Sequence, residues 1–169
     1  MSLPEPWLRG SLTEVPVIAR ALLHSLEMAR EDLLRWCEPL EDEQFNAQRA
    51  SVPSVAFQVQ HIIGSLDRLL TYAEGRELDH KQLASLQTEH RPARRAELLR
   101  LMLSELRRAE QRVRELASLD MNAARWVGRK RLPTTLGGLL VHIAEHTQRH
   151  VGQAITTCKM VTEVREEKA

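Results

Sequence analysis

Apolar residues recur at steps of three and four in four separate stretches of the chain, which is the period of amphipathic helices. In the first stretch Val15, Ile18, Leu22, Leu26, Ala29, Leu33 and Cys37 form the stripe and Pro39 ends it. Ser11-Leu12-Thr13-Glu14 has the spacing of a capping box, so a helix over about 13–38 is predicted. Pro16 falls late in the first turn and shifts the regular helix two or three residues onward. The second stretch carries Val55, Val59, Ile62, Leu66, Leu69 and Leu70, with Ser51 or Ser54 as cap and Gly75 as stop, predicting a helix over about 53–74. Residues 76–91 are polar, with one short helix at about 79–88. Pro92 opens a third helix, about 92–119, whose Leu99, Met102, Leu106, Ala109, Val113 and Leu116 turn inward. A loop over 120–132 holds Trp126 and the basic run Arg129-Lys130-Arg131, and Pro133-Thr134-Thr135 opens the fourth helix, about 134–161. The pattern predicts an all-α chain: a four-helix bundle with a long connection between its second and third helices, in one domain over 1–169.

Composition narrows the function classes. The 169 residues include 24 basic and 23 acidic side chains, a formal charge of +1, so the basic footprint of a nucleic-acid binder is missing. No uncharged stretch is long and apolar enough to cross a membrane, and that over 132–141 is far too short. Cys37 and Cys158 are too few for a disulfide scaffold, sit on apolar stripes as small core residues, and suit a reduced, cytoplasmic compartment. With 43% apolar residues the chain has material for a core without a staple.

The concentrated chemistry lies on the fourth helix. His142, His146 and His150 are spaced by four, so they share one side, and imidazoles one turn apart can converge on one ion. At about 100° per residue, His150 falls roughly 60°, His146 roughly 100° and His142 roughly 140° from the centre of the apolar stripe. His146 and His150, at the stripe's edge, are therefore the better ligand pair, and another helix must supply a third ligand. His142 reads as an exposed or outer residue, Glu145 as a solvated one, and His24, His80 and His90 as solvated. Gln153 and Thr157 continue the histidine side and are candidates to line a cavity. Arg129-Lys130-Arg131 reads as a solvated loop, or as a basic cluster gathering an anion at the start of the fourth helix. His142-Ile143-Ala144-Glu145-His146 also matches the H-x-x-E-H pattern of a zinc hydrolase, with His142 and His146 as ligands and Glu145 as base; only 23 residues follow His146, where a downstream ligand is needed.

The run His146-x-x-x-His150-Val151-Gly152-Gln153, with His142 one turn earlier, resembles the closing signature of the DinB-like metal-binding family. Gln58-Val59-Gln60-His61-Ile62-Ile63-Gly64-Ser65-Leu66-Asp67-Arg68-Leu69 is similar to that family's second-helix segment. The resemblance implies one divalent transition metal, zinc or nickel, held by His61, His146 and His150, with the fourth position open to water or substrate. It further implies a metal-dependent S-transferase acting with a low-molecular-weight thiol, as in bacillithiol transferases and mycothiol-dependent isomerases, and a homodimer. A non-catalytic metal-binding or stress-related protein of the same fold is the alternative. His61 itself lies about 140° from its helix's apolar stripe, beside Ser54, Gln58, Ser65, Arg68 and Tyr72, so that flank must face a polar cavity. The wide spread of apolar residues on the first two helices, including Phe57, is what the sequence offers toward a dimer face.

Overall fold

The computed structural model describes residues 3–49 and 51–166, without the side chains of 164–166. Among these residues the chain is mostly helical. A 3-10 turn at Pro6–Leu8 precedes α1 (Val17–Cys37), and the short α2 (Asp42–Asn46) leads to α3 (Val55–Ala73). Next come the short α4 (His80–Ser85), α5 (Arg95–Leu116), a hairpin of β1 (Ala124–Val127) and β2 (Leu132–Thr135), and α6 (Leu136–Glu166).

Local chemistry sets the boundaries. Pro16 occupies the N-cap position of α1 without a side-chain cap, so the helix starts at Val17. The expected box at Ser11 is not used: Leu12 takes φ 60 in a turn, and Ser11 Oγ lies 3.3 Å from His24 Nε2. His24, read as solvated, is instead buried on α1. Arg9 fixes the preceding turn to α1 through Glu27 and Glu31 at 3.0 and 2.7 Å. Ser54 Oγ accepts from Phe57 N to start α3, and Asp79 with Gln82 forms a capping box for α4.

The largest departure from the sequence pattern is the hairpin. β1 and β2 pair antiparallel from Ala124↔Thr135 to Val127↔Leu132, where a loop and the first turn of the last helix are expected. Gly128 and Arg131, at φ +71 and +49, supply the left-handed residues of its turn. The hairpin also closes the start of α6: Leu136 N donates to Ala123 O, Gly137 N to Met121 O and Gly138 N to Thr135 Oγ1. These donors are therefore spent, and the expectation that Arg129-Lys130-Arg131 gathers an anion at this helix end does not hold.

The four long helices close a ring, with α1 against α5 and α6, and α3 against the same two. Inside lie Leu22, Leu26 and Leu33 of α1, Ile62 and Leu70 of α3, Met102 and Leu106 of α5, and Leu140 and Ile143 of α6, all at most 1% exposed. Phe45 of α2 plugs one end, and Cys37 Sγ meets Cys158 Sγ at 4.0 Å. Each such buried aliphatic side chain contributes roughly 1.5–3 kcal/mol. His61, His146 and His150 stand outside this apolar core. A chelator is accordingly expected to lower the melting temperature while leaving the far-ultraviolet helical signal in place; loss of that signal would mean the histidines organise the fold. No helix among the described residues is long and apolar enough to cross a membrane.

Candidate metal centre

The polar flank of α3, although it lies opposite the leucine stripe, is buried. Gln58, Ser65 and Arg68 are 1%, 5% and 7% exposed, because α6 and the segment after α4 cover them. On this flank His61 of α3 meets His146 and His150 of α6. One ring nitrogen of each lies within 4.8 Å of the other two. The ring centroids are 4.3 Å apart for His61 and His150, 5.2 Å for His61 and His146, and 4.6 Å for His146 and His150.

Two of the rings are held from behind. His61 Nδ1 sits 2.8 Å from Glu89 Oε2, and His150 Nδ1 sits 2.7 Å from Gln58 Oε1. A carboxylate and an amide oxygen only accept, so each Nδ1 donates, which leaves Nε2 as the nitrogen that can face an ion. His146 Nδ1 is buried without a hydrogen-bond partner among the described residues. Three imidazoles, one buried nitrogen without a partner, and carboxylate and amide groups behind two of the rings form a donor set that fits a divalent transition metal.

Glu89 and Gln58 are the residues that sequence reading missed. Glu89 is 6% exposed, and its second oxygen lies 2.8 Å from Arg68 Nη1 in an ion pair. Burial alone would raise the Glu89 carboxyl; the His61 hydrogen bond and the Arg68 guanidinium outweigh it and hold the group below the usual carboxylate range. Gly64 makes the pair possible, because a Cβ there would lie 2.5 Å from Arg68 Nη1 and 2.6 Å from Glu89 Oε1. Phe57 stacks on His61 at 5.6 Å and on His90 at 4.4 Å, so this ring walls the cluster and is engaged within the chain.

The remaining candidates fall outside the cluster. His142 is exposed, with Nδ1 3.9 Å from Glu145, and Glu145 pairs with Arg149 at 3.0 Å. Thr157 is buried, its hydroxyl 3.0 Å from Gln153 O and 3.4 Å from Pro53 O, so it does not open to a cavity. Gln153 does: with Gln58, Arg149 and Gly152 it lines a cavity of about 460 Å³ that the histidines themselves do not line.

Burial pushes the His146 imidazole down to about 4, aided by His150 and His61. Burial likewise brings His150 to about 4, with His61 and Arg149 adding to it. Both rings are thus neutral and ready to bind a cation at pH 7. For the metal-free chain the sign is set: well above pH 6.5 neither folded nor unfolded rings are charged, and no stability is at stake. As pH falls from 6.5 toward 4, the unfolded rings take protons that the folded ones refuse, so stability drops. The melting temperature of the metal-free protein is expected to fall across that window, and His146→Ala should flatten the slope; an unchanged slope would place the titration elsewhere.

The family model described as the DinB superfamily matches residues 25–154. No curated protein matches the chain. The helical architecture, the histidine cluster and this match agree: the chain belongs to the DinB superfamily.

Proposed function

We propose that the protein is a metal-dependent transferase that acts with a low-molecular-weight thiol, through one divalent transition metal, zinc or nickel, held by His61, His146 and His150. The observation that carries this reading is the convergence of three imidazoles, two of them fixed at Nδ1 by Glu89 and Gln58. A divalent ion bound there would act as a Lewis acid, keeping its full charge because the donors are neutral, and would favour a thiolate over a thiol. The chain's own residues supply the rest. Glu89 and Gln58 orient the rings, and the carboxylate of Glu89 is already committed to His61 and Arg68. Glu145 points to solvent and pairs with Arg149, so it is not placed as a base, which weighs against peptide hydrolysis by the H-x-x-E-H pattern. We read the fold as a single-domain four-helix bundle, cytoplasmic and homodimeric, with neither nucleic acid nor membrane among its partners.

Metal analysis of protein purified without an affinity tag tests the first half of this reading. Cobalt loading followed by titration with glutathione, cysteine and bacillithiol tests the second. Sulfur-to-metal charge-transfer bands and transfer of the thiol to an electrophile are expected. Absence of bands with all three thiols, together with peptide cleavage that depends on Glu145, would overturn it.

A further inference from the structure

A second cavity, of about 390 Å³, opens where the β1–β2 hairpin meets the end of α3. Its walls combine two kinds of side chain. Tyr72, Leu78, Leu83 and Trp126 offer apolar and aromatic surface, and Arg129 and Arg131 offer cations. Trp126 and Leu83 remain 46% and 38% exposed although they line a concave site.

The charge balance of the walls is positive. Arg76 is taken up by Glu74. Arg131 reaches Glu77 at 3.3 Å, but both side chains are mostly exposed at 60% and 89%, so that pair is weak. Arg129 forms no ion pair among the described residues. Arg131 also stacks its guanidinium 5.2 Å from the Trp126 ring centroid, from a backbone at φ +49 that a non-glycine residue seldom adopts. Arg125 Nε donates to Ala73 O at 2.6 Å and ties the hairpin to α3, the two elements between which the cavity lies. A preformed pocket with a flat aromatic wall and surplus guanidinium groups suits a flat apolar body bearing one negative charge.

We propose that this cavity binds a small organic anion with a planar apolar body, of the aryl carboxylate or aryl sulfonate class. It is separate from the histidine cluster. Tyr72 lies eleven residues beyond His61 on α3, about 16 Å along the helix axis, and between them on that face Arg68 is committed to Glu89 and Ser85. The proposal therefore does not depend on the metal reading.

The test is calorimetric titration with 1-naphthalenesulfonate and with uncharged 1-naphthalenemethanol, circular dichroism confirming that each variant is folded. One sulfonate per chain is expected to bind, more weakly as salt rises, with the alcohol about tenfold weaker. Trp126→Ala and the double variant Arg129→Ala/Arg131→Ala should each weaken sulfonate binding about tenfold, while His146→Ala leaves it unchanged. Equal affinity for the two probes, or unchanged binding in the hairpin variants, would overturn the proposal. Loss of binding in His146→Ala would also overturn it, by placing the probe at the histidine cluster.

Discussion

His146→Ala is expected to abolish stoichiometric binding of a divalent metal, and His150→Ala and His61→Ala to do the same. Removing any one ring leaves two imidazoles, too few for a tight site, and the affinity loss should exceed the 10–100-fold (roughly) that follows from disturbing an outer partner. His142→Ala should weaken binding modestly at most, because that side chain is exposed and its nearest charged neighbour is Glu145 rather than the cluster. All four variants should keep the helical circular dichroism, since none of these rings belongs to the apolar core. Metal content per chain after dialysis against cobalt reads the result directly. A His142 variant that loses metal as completely as the others would return His142, Glu145 and His146 to consideration as one site.

What could be read in advance was local. The stripes on α1, α3, α5 and α6 are visible because a buried helix face repeats every three or four residues. The same arithmetic ranks His150 and His146 ahead of His142, and the structure leaves the first two half-buried and the third exposed. His61 is a different case. Its position opposite a leucine stripe reads as surface, and only the resemblance to the DinB-like family singled it out. Glu89 and Gln58 escaped because their contacts join residues 28 and 92 positions apart, and no periodicity encodes such a distance. A signal was nonetheless present for Gln58, which shares with Ser54, Ser65 and Arg68 a polar flank that the fold goes on to bury. The hairpin was hidden for another reason. Its strands are four residues each, too short for alternation to stand out, and Pro133-Thr134-Thr135 also suits a helix start. His24 reads as polar-face surface, yet the turn carrying Ser11 folds back over it.

Glu89 is expected to hold two functions together, and they can be separated. Glu89→Ala leaves the Arg68 guanidinium, 7% exposed, with Ser85 Oγ at 3.4 Å as its remaining side-chain partner. Breaking a buried pair from one side costs about 3–5 kcal/mol, because the charge left behind is not resolvated. The same change frees His61 Nδ1, so the ring loses the contact that fixes its tautomer and direction, and metal affinity should fall about 10–100-fold. Gly64→Ala should press on the same pair through Arg68 and destabilise the chain by about 1–3 kcal/mol. The separation comes from the double variant Glu89→Ala/Arg68→Met. It removes both charges and should recover most of the lost stability, since a buried pair replaced by apolar groups is close to neutral. It should not recover metal affinity, because His61 still lacks its acceptor. Denaturant melts of the metal-free proteins read the first quantity and cobalt titration the second. If affinity returns along with stability, Glu89 serves only to neutralise Arg68, and the orientation of His61 is set by packing against Phe57 instead.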